Sequence, residues 1–83
     1  NKTNVKIGVI FVDIDNFKSF NDKFGHKIGD EVIKFVAHSI KESIRDVDFG
    51  FRYGGDEFVI MIFEQEKEIV LKIANRIFNK ITN

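Results

Sequence analysis

Residues 52–58 read Arg-Tyr-Gly-Gly-Asp-Glu-Phe, two acidic side chains placed directly after paired glycines and directly before an apolar run from Phe58 to Phe63. Gly54 and Gly55 permit a tight turn with backbone conformations that other residues avoid, and Asp56 and Glu57 then stand at the head of a strand. Carboxylates in that position suit a metal or nucleotide site. An ordinary hairpin whose acids face water fits the same seven residues. A second acidic strand end upstream, Asp13-Ile14-Asp15, follows the run from Ile7 to Val12. Two carboxylates brought together at a sheet edge repel each other unless a cation lies between them, and oxygen-only ligands favour Mg²⁺ or Mn²⁺ over zinc. Asp13 and Asp15 also fit as caps of a helix starting just beyond them, with Asp15 the better cap and Asp13 the better ligand.

For these two strand ends to meet, the elements between them must return the chain to one end of a sheet. Ile7 to Val12 is β-branched and aromatic with one glycine, as in a strand buried on both faces. Phe17, Phe20 and Phe24 recur at helical spacing and predict a short helix stopped near Gly25, with all three rings in the core. Ile28, Val32, Ile33, Val36, Ala37, Ile40 and Ile44 predict a long amphipathic helix ending near Arg45. Phe49, Phe51 and Tyr53 alternate with Gly50 and Arg52 as in a half-buried strand, and Glu57 to Glu64 is its hairpin partner. Val70, Ile73, Ala74, Ile77, Phe78 and Ile81 give a last amphipathic helix.

The order strand, helix pair, strand, strand, helix predicts an α+β fold. The first two strands lie parallel through a right-handed crossover, and the hairpin's return strand is inserted between them. This is five-sixths of a ferredoxin-like βαββαβ unit, truncated before its closing strand. The first strand is then an uncovered edge, open to another chain. In this topology Asp13 and Asp56 become neighbours.

Eighty-three residues make one small domain or part of one, able to bury only about 60% of its extended-chain surface. Thirteen basic and thirteen acidic residues cancel, so bulk charge draws the chain neither to nucleic acid nor to anionic lipid. No apolar run approaches the roughly 20 residues of a membrane span, so no membrane contact is expected of this segment. The lack of cysteine excludes disulfides and thiolate metal sites and suits the cytoplasm.

The stretch Phe11-Val-Asp-Ile-Asp-Asn-Phe-Lys18, then Asn21-Asp22, Gly25-His26, Gly29-Asp30, Arg45-Asp-Val-Asp48 and the heptad from Arg52 to Phe58 resembles the GGDEF domain of diguanylate cyclases. The resemblance covers nearly the whole chain and makes residues 1–83 a single partial domain. It implies condensation of two GTP into cyclic di-GMP, one GTP on each of two domains meeting face to face. Asp13, the carbonyl of Ile14 and Asp56 are then expected to hold Mg²⁺ or Mn²⁺, with Asp56 and Glu57 the catalytic acids. Backbone amides of Asn16 and Phe17 would meet phosphate at a helix N-terminus, with Lys18 adding a point charge. Asn21 and Asp30 would bond the guanine edge, and His26 would contact substrate. Gly25-His26 also reads as a helix stop with a solvated imidazole.

Arg45-x-x-Asp48 holds the place of the family's inhibitory product site, about 20 Å from Gly54 by strand rise. The same two residues also read as a helix-terminal Arg beside a loop Asp. The family's opening Asp-x-Leu-Thr-Gly-Leu segment, its later hairpin, its Ala-Lys helix and its Gly-Arg-Asn ending do not occur here. Those parts would supply basic residues for the triphosphate, so the 83 residues alone are expected to turn over GTP poorly. A sensory domain is expected elsewhere in the parent chain. Two other readings compete. One is a non-catalytic cyclic di-GMP receptor using Arg45 and Asp48, which intact turn acids and glycines disfavour. The other is a ferredoxin-like RNA-binding or interaction domain, which zero net charge disfavours.

Overall fold

The computed structural model of the chain describes residues 6–64 and 66–82. Its elements run β1 (Ile7–Asp13), α1 (Phe17–Phe24), α2 (His26–Ser43), β2 (Phe49–Arg52), β3 (Glu57–Phe63) and α3 (Lys67–Thr82). The sheet order is β1-β3-β2, with β3 antiparallel to both neighbours, so β1 and β2 run parallel with the return strand between them. This is the predicted α+β arrangement. In the register, Asp13 lies opposite Glu57 and Arg52 opposite Phe58. The acidic end of β1 thereby meets the start of β3.

Alternation along β3 sends Phe58, Ile60 and Ile62 toward the helices. There they meet Phe17 of α1, Ile33, Val36 and Ile40 of α2, and Ile73 and Ile77 of α3. Ile60 and Ile62 have no exposed surface. Each such side chain contributes about 1.5–3 kcal/mol of burial, so the central strand and the inner faces of α2 and α3 carry most of the hydrophobic stabilisation. One helical break is built into the chain. Gly25 closes α1 and opens α2 at φ 92°, a left-handed conformation that disfavours side chains. Its N–H donates to the Asn21 carbonyl at 2.7 Å while its own carbonyl accepts from Gly29 N–H at 3.1 Å.

Three expectations are corrected. β1 is not buried on both faces: Ile7, Val9 and Phe11 are exposed on the side away from the helices, Phe11 by 76%. β2 is not half-buried either, since all four of its residues are exposed. Both corrections have one cause. Among the described residues the helices pack on a single face, so apolar residues on the other face and at the two edge strands face outward. Thirdly, only Phe17 of the α1 rings enters the core. Phe20 stacks between Phe17 and Phe24, and Phe24 is 48% exposed. An eight-residue helix has room for little more than one buried turn.

Candidate nucleotide and metal site

The register makes Gly54, Gly55 and Asp56 a three-residue loop between Tyr53 and Glu57. Tyr53 N–H donates to the Glu57 carbonyl at 2.8 Å, and Gly54 N–H shares that acceptor at 3.3 Å. Neither glycine adopts a positive φ, which overturns the conformational reason first given for them. What they supply is space. A Cβ on Gly54 would stand 3.0 Å from Glu57 Oε1, and the position of a Gly55 Cβ is open. The loop therefore presents bare backbone beside its two acids. Ile14 N–H donates to the Asp56 carbonyl at 3.0 Å, tying the end of β1 to the loop.

Asp13, Asp56 and Glu57 offer carboxylate oxygens that all lie within 4.8 Å of one another. Among the described residues no lysine, arginine or histidine forms an ion pair with any of the three. Three mutually close carboxylates without a protein cation form an oxygen-only donor set, the chemistry that hard divalent ions require. The trio thus fits Mg²⁺ or Mn²⁺. Asp15, the alternative cap, stands outside this trio, and neither Asp caps α1. The N-cap is Asn16, at φ 57° and without a side-chain cap bond, so the first-turn N–H groups of α1 are left uncapped by it.

Asp56 also borders a cleft of about 320 Å³ lined by Phe17, Lys18, Asn21, His26, Asp30, Arg52 and Gly55. Six predicted site residues, Phe17, Lys18, Asn21, His26, Asp30 and Asp56, thus share one opening between α1, the start of α2 and the loop. Asp13, Ile14, Asn16 and Glu57 do not line it, and Asp13 and Ile14 line the groove between β1 and α3 instead. Two larger grooves, of about 580 and 590 Å³, run along the outer strand edges and are mostly apolar. Charged residues line these grooves too, among them Lys41, Arg45 and Asp46 in the first and Asp13 and Asp15 in the second, but only the smaller cleft gathers the residues expected to contact nucleotide. Asn21 lines the cleft, but its Oδ1 is buried with no hydrogen-bond partner among the described residues. It lies against Gly29, where any Cβ would overlap it. An acceptor left unsatisfied in this way is costly unless a ligand donates to it.

Residues 1–83 match the family described as Diguanylate cyclase, GGDEF domain. The chain belongs to the GGDEF family. It is 38% identical over 81 residues to Diguanylate cyclase DosC of Escherichia coli K12, an alignment covering 98% of this chain and 18% of that protein. It is similar to a Pseudomonas aeruginosa PA1120 (TpbB or YfiN) structure comprising only the GGDEF domain. There the TM-score is 0.87 at 35% identity, over 93% of this chain and 45% of that one. The GGDEF domain of DgcB from Caulobacter crescentus, solved in complex with c-di-GMP, gives 0.81 at 37% identity over 88% and 43%. The chain spans about a fifth of the length of the first curated relatives it matches. No described helix is long and apolar enough to cross a membrane.

In this GGDEF chain the Arg45–Asp48 pair lies at the other end of β3, where the structure ties it to the sheet. Asp48 Oδ2 accepts from Arg45 N–H and Nε–H, both at 2.9 Å. Its Oδ1 accepts from Arg45 Nη2 at 3.0 Å and from Phe63 N–H at 3.1 Å. Arg45 also donates from Nη1 to Glu64 at 2.7 Å and from Nη2 to the Phe63 carbonyl at 3.1 Å. The Asp48 side chain has no exposed surface and that of Arg45 is 35% exposed. The Arg45 bonds, chiefly, hold the Asp48 carboxyl below the usual range, while Asp48 first and Glu64 second raise the guanidinium further. Glu64, bonded to Arg45, and Arg52, bonded to the Gly54-Gly55 loop, are neighbours of the candidate residues that sequence reasoning missed. Arg52 sits inside the quoted heptad, and its adjacency to two glycine carbonyls was the available signal.

Proposed function

We propose that the chain is the catalytic half of a diguanylate cyclase domain that joins two GTP molecules into cyclic di-GMP. The observation that carries this reading is the convergence of five expected substrate residues on one cleft, joined through Asp56 to an acidic trio without an ion-pair partner among the described residues. In this reading Asn21 and Asp30 hold the guanine edge. His26 closes the substrate contact. Lys18 and the uncapped amides of Asn16 and Phe17 bind phosphate at the α1 N-terminus. Asp13, the Ile14 carbonyl and Asp56 would hold the divalent ions, with Glu57 in support. When bound, such ions acidify the attacking hydroxyl and neutralise phosphoryl charge.

The 3′-hydroxyl of one GTP forms a bond to the α-phosphorus of the other, the α–β anhydride bond breaks, and pyrophosphate leaves. In this reading Asp56 receives the hydroxyl proton. A second identical step closes the ring. Nucleophile and electrophile come from separate domains, so a face-to-face homodimer belongs to the mechanism. Product feedback at Arg45 and Asp48 is part of this proposal in a restricted form. The Asp48 carboxylate already accepts four hydrogen bonds, so a cyclic dinucleotide would be received by the exposed edge of Arg45. Incubating the full-length parent with GTP and Mg²⁺ tests the function. Cyclic di-GMP and pyrophosphate in a 1:2 ratio are expected. Tight cyclic di-GMP binding with no synthesis would instead make the parent a receptor.

A further inference from the structure

Arg52 is the last residue of β2 and is exposed, yet its guanidinium is committed to the loop. Nε–H donates to the Gly54 carbonyl at 3.0 Å and to the Gly55 carbonyl at 3.2 Å, and Nη2 donates to Gly55 at 2.6 Å. The loop has no other local restraint of this kind. Gly54 and Gly55 carry no side chains, and paired glycines have the largest conformational freedom to lose. The remaining loop bonds run from Ile14 N–H to the Asp56 carbonyl and from Tyr53 and Gly54 N–H to the Glu57 carbonyl, the last at a long 3.3 Å, and none of them holds a glycine carbonyl. Without Arg52 neither glycine carbonyl keeps a hydrogen-bond donor among the described residues, and the Gly54-Gly55 segment retains only the 3.3 Å bond from Gly54 N–H.

We infer that Arg52 is a positioning residue that clamps the Gly54-Gly55 backbone so that Asp56 and Glu57 meet Asp13. The inference rests on the reading of that trio as a divalent-ion site. Its sign separates it from simple electrostatics. A guanidinium beside a cation site repels the cation, so by Coulomb's law alone its removal tightens metal binding. Weaker binding after its removal therefore reports loss of geometry. Arg52 acts from outside the ligand set, where supporting partners commonly tune metal affinity by 10–100-fold.

The test is titration of the nucleotide-free, full-length parent with Mn²⁺ alone, following free Mn²⁺ by electron paramagnetic resonance. Arg52→Ala should weaken binding about ten-fold. Arg52→Gln keeps amide donors without the charge and should stay within about three-fold of wild type, a rescue that a fold defect does not give. Unchanged or tighter Mn²⁺ binding by Arg52→Ala overturns the inference. So does a variant with normal Mn²⁺ affinity whose only change is a raised KM for GTP, which would make Arg52 a substrate contact. A wild-type parent that binds Mn²⁺ but makes no cyclic di-GMP would sink the proposed function and leave the Arg52 result readable.

Discussion

The two ends of β3 both gather carboxylates, and they treat them in opposite ways. At the loop end Asp13, Asp56 and Glu57 lie within 4.8 Å of one another, with no protein cation paired to them among the described residues. At the far end Asp48 is sealed from solvent, accepts four hydrogen bonds and shares Arg45 with Glu64. A folded chain gains nothing by crowding unpaired like charges, so in the proposed reading a divalent ion balances the first cluster. The second is explained by the fold it closes, since it fastens the α2–β2 connection to the end of the central strand. The same residue types thus serve chemistry or architecture according to whether their counter-charge comes from outside or inside the chain.

The largest expected effect lies at the loop end. Asp13→Asn and Asp56→Asn in the full-length parent should each lower kcat by at least about a thousand-fold, several kcal/mol of lost transition-state stabilisation. Their melting temperatures should hold or rise, because each substitution removes like-charge repulsion at an exposed edge. Steady-state rates at saturating Mg²⁺, paired with thermal melts, check both halves. Near-normal turnover by either variant would break the comparison at this end.

The far end should answer with stability. Asp48→Asn removes a buried, four-fold bonded carboxylate and should cost about 1–3 kcal/mol in urea unfolding at pH 7. Arg45→Ala should destabilise further, because it strands that carboxylate without its cation. The same variant should lift product inhibition without lowering the initial rate. The folded-state pKa of Asp48 lies below its ordinary unfolded value of about 3.9. Its contribution is therefore fully present above about pH 4 and is lost as pH falls through the lower, folded value. The stability gap between wild type and Asp48→Asn should shrink as unfolding is repeated below pH 4. A gap that stays constant to pH 2 would remove the charged pair from the explanation.

Much of the fold was legible because hydrophobic period and topology rules act over long stretches. The order β1-β3-β2 followed from a right-handed crossover plus a hairpin, and it predicted the meeting of Asp13 with Asp56. Exposure was not legible at Ile7, Val9, Phe11, Phe49 and Phe51. A run of β-branched and aromatic residues looks the same whether a second layer covers it or not. The partners of long charged side chains were also hidden. Glu64 reaches Arg45 across 19 residues, and the Arg52 fork closes on backbone carbonyls that any residue carries. The glycines misled in a different way: Gly54 and Gly55 were read for turn conformation, whereas Gly25 holds the positive φ and Gly29 the close approach.

That close approach gives the next prediction. Gly29→Ala puts a Cβ where Asn21 Oδ1 now lies, so the amide must swing away from the base position. KM for GTP should rise about ten-fold while kcat stays within about two-fold, the pattern of lost uniform binding. Initial rates over a range of GTP concentrations decide this. A fall in kcat at unchanged KM would mean that Asn21 does not hold the ground-state nucleotide, and would move the boundary of the loop-end site.

The smallest effect isolates what makes the far end strong. Glu42 is also a paired acid, with His38 at 3.1 Å on its own helix and Lys80 of α3 at 3.3 Å, and its pKa is lowered chiefly by the Lys80 hydrogen bond. It differs from Asp48 in being half-exposed, so water and salt screen both partners and ordering two long side chains offsets the attraction. Glu42→Gln should therefore shift the melting midpoint by no more than about 1 °C, and 0.5 M NaCl should erase even that. The sign with pH follows Asp48: whatever Glu42 contributes is present above the ordinary carboxylate range and lost on acidification. Melts of wild type and Glu42→Gln at low and high salt make the measurement. A shift as large as that of Asp48→Asn would show that pairing alone, and not pairing in a sealed site, sets the strength of the far end of β3.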